Sequence, residues 1–174
     1  MRSIFRLVPC GLAIVLVAFV SGLGNALAQQ YGQTLKQRLV GTWMVVSVYN
    51  VRPDGSRFEP FGPSLRGMSV FTNSGRFVVF LTRTDLPRYA SNDRFKGTVA
   101  EYQATVQGNI AYFGTYVINT DGSVTERIEG SSFPNWVGAD QKRQITVNEG
   151  TMDVVNPTPT IGGTTAHTSW KRVP

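Results

Sequence analysis

From Gly41 to Val173 apolar and polar residues alternate over short runs broken by glycine-containing turns, a period of two that predicts strands. Eight runs stand out: Thr42–Asn50, Met68–Asn73, Arg76–Thr82, Asn109–Asn119, Ser123–Gly130, Gln141–Asn148, Thr151–Val155 and Thr164–Val173. Three connections, Asn73-Ser74-Gly75-Arg76, Thr120-Asp121-Gly122-Ser123 and Asn148-Glu149-Gly150-Thr151, put glycine where a tight turn needs positive φ, so the strands they join are antiparallel. Consecutive short antiparallel strands can close on themselves and so abolish exposed edges. The predicted fold is therefore all-β, an eight-stranded antiparallel up-and-down barrel. Two stretches follow a helical period instead. Tyr31, Leu35 and Leu39 predict a short N-terminal helix over one barrel end, and Phe95, Val99, Tyr102 and Val106 predict an amphipathic helix, Arg94–Gln107, between the third and fourth strands, docked on the barrel wall or mouth.

Hairpin register assigns faces. A two-residue Glu149-Gly150 turn pairs Asn148 with Thr151, Val147 with Met152 and Ile145 with Val154, which puts Arg143 on the same face as Ile145, Val147, Met152 and Val154. An inward guanidinium without a partner costs several kcal/mol, so Arg143 calls for a carboxylate, a ring of carbonyls or a ligand. Treating Asp121-Gly122 as a two-residue turn pairs Tyr116 with Arg127 and leaves two candidate inner sets. Either Glu126 or Glu129 then faces Arg143; the set with Tyr112, Tyr116 and Glu129 is favoured, since tyrosines offer apolar walls with hydroxyl tips.

The N-terminus changes the domain count. Arg2 and Arg6 precede the apolar run Leu7–Val20, and Ala26-Leu27-Ala28 has the small-x-small form of a cleavage site, so 1–28 reads as a signal peptide and 29–174 as one domain, periplasmic or secreted. The apolar run of about 14 residues falls short of the roughly 20 needed to cross a bilayer, so no stable membrane anchor is expected. Cleavage removes two of the 17 Lys and Arg residues against 11 Asp and Glu, leaving a scattered excess with no phosphate-tracking stripe, and nucleic acid is not expected as a partner. It also removes Cys10, the only cysteine, which excludes disulfides, thiol chemistry and zinc–thiolate sites from the mature chain. A domain of that length can still bury about 68–70% of its unfolded surface.

Three stretches resemble the lipocalin-like domain family of small bacterial and fungal barrels: Leu39-Val40-Gly41-Thr42-Trp43; Phe61-Gly62-Pro63 with Arg66-Gly67; and Ala111-Tyr112-Phe113-Gly114-Thr115-Tyr116 followed by Glu129-Gly130-Ser131 and Phe133-Pro134-Asn135-Trp136-Val137-Gly138. With Trp170-Lys171-Arg172 the resemblance covers residues 39–173. It implies a calycin-type barrel able to hold a small molecule and no particular reaction. It further implies that Trp43 packs across the closed end beneath a basic residue of the last strand, Arg172 or Lys171, both structural. Family members often carry histidine in the strand before the Phe-Pro-Asn-Trp stretch; this chain has Glu126 and Arg127 there, so chemistry resting on such histidines is not carried over.

His167, the single histidine, is a candidate only if it meets Glu129 or a tyrosine across the lumen. Metal and cofactor binding are not expected, since one histidine and no clustered acids make no ligand set, and nucleophile-elbow, P-loop and dinucleotide motifs are absent. Ser131–Asp140, with Phe133 and Trp136, is either a lid at the mouth or a plug. The candidate ligand-binding set is thus Arg143, Glu129, Glu126, Tyr112, Tyr116, Trp136 and His167. It supports an exported binder of a small apolar or amphipathic molecule with one acidic or carbonyl group. The alternatives are a cofactor-free isomerase or cyclase using an inward Glu with Arg143, Tyr112 and Tyr116, and a filled barrel serving as a scaffold.

Overall fold

Period-two alternation becomes a closed cylinder in the computed structural model, which describes residues 34–174; the stretch 1–28 expected to be a signal, with Cys10, and Tyr31 lie outside the described residues. The strands are β1 (Gly41–Val51), β2 (Arg57–Phe58), β3 (Leu65–Phe71), β4 (Arg76–Arg83), β5 (Asn109–Ile118), β6 (Val124–Ser131), β7 (Asp140–Asn148), β8 (Thr151–Asn156) and β9 (Thr165–Arg172). Every pairing is antiparallel, and β1 pairs with both β3 and β9, sealing an eight-stranded barrel to which β2 adds a two-residue hairpin arm on β1. In β4 and β7 buried and exposed residues strictly alternate over most of each strand, as a half-buried strand requires.

Helix α1, residues 34–39 of the described chain, closes one end with Leu35 and Leu39 fully buried. Its last carbonyls are taken up by the barrel: Trp43 Nε1 donates to Leu39 O (2.9 Å), while Arg172 donates through Nη1 to Val40 O (2.9 Å) and through Nη2 to Arg38 O. The Arg172 guanidinium also lies 4.1 Å above the Trp43 ring, a cation–π contact.

Helix α2 (Val99–Gly108) starts later than the hydrophobic spacing predicts, because Thr98 and Glu101 form a reciprocal capping box and fix the first turn there. Its expected docking face is not docked. Val99 and Val106 are 82% and 74% exposed, and Phe95, 85% exposed, precedes the helix. The preceding loop holds α2 instead: Tyr89 Oη donates to Thr105 Oγ1 (3.1 Å), and Glu101 accepts from Ala90 N (2.8 Å).

The β7–β8 hairpin has the expected register, Asn148 to Thr151 through Ile145 to Val154. The β5–β6 hairpin does not. Asn119 N donates to Ser123 O (2.8 Å) and Gly122 N to Asn119 O (3.0 Å), with Gly122 at φ 80°, so the loop has three residues, Thr120 to Gly122, rather than two. Tyr116 therefore pairs with Glu126, not Arg127. A one-residue slip reverses which face every side chain occupies. Further along, the pairing skips Glu129, where β6 bulges against Gly114; a Cβ on Gly114 would collide with the Arg127 carbonyl.

Candidate functional site

Opposite the α1 end, the barrel holds a cavity of about 100 Å³, counted as space for the centres of water-sized molecules. Its walls are mainly apolar and come from every barrel strand. The mouth is framed by Pro60 and Phe61 from the β2–β3 connection, by Trp136 from the 3₁₀ turn Pro134–Trp136, and by Pro159, Thr160 and Ile161 from the β8–β9 loop. Asn50, buried on β1, fixes that last loop by donating through Nδ2 to the carbonyls of Ile161 (3.1 Å) and Gly162 (2.9 Å). Trp136 stacks edge-on against Tyr112 (5.2 Å between ring centres), which ties the turn to the cavity wall.

On the cavity wall Arg143 and Glu126 face one another, 3% and 2% exposed. Arg143 Nε lies 3.4 Å from Glu126 Oε2, close enough for strong attraction in this setting yet not aligned as a hydrogen bond. The rest of the guanidinium is largely occupied: Nη1 donates to Lys142 O and Asn156 Oδ1 (both 3.1 Å), and Nη2 to Gln141 Oε1. Asn156 Oδ1 also accepts from Thr158 N (3.0 Å), so one oxygen joins Arg143 to the β8–β9 loop. Burial pushes the Glu126 carboxyl above its ordinary range, and Arg143 pulls it only part of the way back. Burial also raises the Tyr112 hydroxyl; the neighbouring Glu126 charge adds to the rise and Arg143 opposes it.

Among the described residues, three buried side-chain polar atoms have no hydrogen-bond partner in the protein: Ser69 Oγ, Glu126 Oε2 and Trp170 Nε1. All three residues line this cavity. Buried polar groups are nearly always paired, so each of the three calls for a partner, water or ligand, beyond those the protein supplies.

The structure sorts the candidate residues. Arg143, Glu126, Tyr112 and Trp136 come together on the cavity wall. Glu129 does not: one residue beyond the inward Ile128, it lies on the outer surface, where it pairs with Arg76. Tyr116 faces inward but away from the hollow, packing edge-on against Phe71 and donating to Thr72 O (2.8 Å) near the closed end. His167 lies on the outer face of β9, between the cavity-lining Ala166 and Thr168; it stacks on Tyr49 (4.8 Å between ring centres), with Nε2 3.0 Å from Thr165 Oγ1. It therefore cannot meet a carboxylate across the lumen. Ser69, Trp170, Asn50 and Asn156 escaped sequence reasoning, although strand parity with Ala166 would have placed Trp170 inside. Among the described residues no three His, Asp or Glu side chains gather as a metal site.

The described chain is thus a sealed antiparallel barrel, plugged by a Trp–Arg pair at one end and hollow at the other. The sequence pattern of the lipocalin-like domain matches residues 40–173, and the chain belongs to that family. No curated protein matches the sequence.

Proposed function

We propose that this is an exported binding protein that holds a small, mainly apolar molecule in the barrel lumen. The observation that carries this reading is that Ser69, Glu126 and Trp170, which line one largely apolar cavity, each have a buried polar atom without a hydrogen-bond partner in the protein. A filled scaffold barrel gives no reason for its unsatisfied atoms to gather there. Arg143 acts chiefly by fixing Glu126 and the β8–β9 loop, since Lys142, Asn156 and Gln141 already occupy most of its donors.

Native mass spectrometry of protein recovered from its own host tests the reading. A co-purifying small molecule is expected, and it should be lost in Ala166→Phe, which fills the lumen. A parent protein that is empty under all growth conditions would defeat the proposal. Export is supported by Arg2, Arg6, the Leu7–Val20 run and Ala26-Leu27-Ala28. The processed chain should begin at Gln29 in the periplasm or medium.

One observation favours a second reading. A buried carboxyl with a raised affinity for protons, beside Tyr112, suits proton transfer to and from a carbon next to a carbonyl. In that case Glu126→Gln abolishes turnover of a bound carbonyl compound while leaving its binding intact; unchanged turnover removes Glu126 from any mechanism.

A further inference from the structure

The geometry points to a ligand that is electrically neutral and amphiphilic, an alcohol or an uncharged carbonyl compound, seated with its polar head on the lumen floor and its apolar part in the mouth. This inference rests on the binding reading above and adds charge and direction to it. Direction follows from register. Ser69 pairs with Trp43, the plug of the closed end, and Trp170 pairs with Val45 on the same strand, so both unpartnered groups lie deep. The rim is instead mainly apolar, made of Pro60, Phe61, Trp136, Pro159 and Ile161, with Thr160 among them. A molecule bound tail-first would put methylenes against a free hydroxyl and a free indole N–H and leave its polar end among aromatic rings, losing on both counts.

Charge follows from the partners already made. Ser69 Oγ both donates and accepts, Trp170 Nε1 donates, and Glu126 Oε2 accepts, or donates when protonated. A hydroxyl or carbonyl satisfies such a set. An anionic head would face Glu126 and find Arg143 with most of its N–H groups engaged by Gln141, Lys142 and Asn156. A cationic head would meet the Arg143 guanidinium on the same cavity wall. Either would be stripped of water for an opposed field.

Calorimetric titration of the purified domain with hexanol, hexanoate and hexylamine at neutral pH separates the outcomes. Hexanol is expected to bind at least about tenfold more tightly than either charged analogue, and Ser69→Ala, at unchanged fold by circular dichroism, should weaken hexanol about fivefold. Hexanoate or hexylamine binding as well as hexanol overturns the neutral-head assignment while leaving the binding reading standing. Hexanol binding that ignores Ser69→Ala overturns the head-down orientation. If none of the three binds, and an apolar dye is excluded as well, the binding reading falls and this inference falls with it.

Discussion

Two tryptophan–arginine neighbourhoods lie inside the same barrel, and they are finished to different degrees. At the closed end Trp43 donates to Leu39 O, and Arg172 covers the ring while capping α1 through the Val40 and Arg38 carbonyls. In the hollow half Trp170 Nε1 has no partner, and Arg143 faces a carboxylate oxygen that is itself without a hydrogen bond. Residue type is the same at the two places; completeness of hydrogen bonding is not. A satisfied cluster rigidifies, whereas an unsatisfied one costs stability that only an incoming partner can return.

That contrast can be broken at either end. Trp43→Ala should have the largest effect, about 3–5 kcal/mol of lost stability in denaturant unfolding, because it empties the plug and frees the Leu39 carbonyl. Arg143→Met should cost about 3 kcal/mol at neutral pH by leaving Glu126 alone, and adding Glu126→Gln should restore most of it. The same pair sets a pH dependence. A carboxyl whose affinity for protons is higher in the folded than in the unfolded chain makes stability fall as pH rises from the ordinary carboxylate range through its raised folded value. Melting temperatures of parent and Glu126→Gln followed across that window should converge toward acid and diverge as pH rises; parallel curves would show that Glu126 carries no shift. Arg172→Ala should cost about 1–2 kcal/mol, from the cation–π contact and the carbonyl bonds. Ser69→Ala, smallest of all, should leave stability unchanged or raise it by about 1 kcal/mol, since it deletes an unpaired buried hydroxyl. A clear loss there would mean that the floor of the hollow is as finished as the plug.

The barrel itself was legible because period-two alternation and turn glycines act locally, strand by strand. The Arg143 face was read correctly for the same reason: the Glu149-Gly150 turn has the length it displays. The turn alone does not separate Glu126 from Glu129, because Asp121-Gly122 looks like a two-residue turn while the chain folds it as the end of a three-residue loop. The internal alternation of β6, with Val124, Glu126 and Ile128 on one side, carried the right answer regardless of turn length. The bulge at Glu129 lay beyond reach, since it depends on how β5 meets β6. The Phe95, Val99, Tyr102 and Val106 stripe misled for a different reason: periodicity reports that a face is apolar, not that anything covers it. Thr98 with Glu101 was the stronger local signal and fixed where α2 begins.

Because β1 is zipped to β9, the first and last strands of the domain are immediate neighbours, and Trp43 lies opposite Arg172. The cylinder cannot seal until β9 itself has left the ribosome, so closure is a late event in the folding of each molecule.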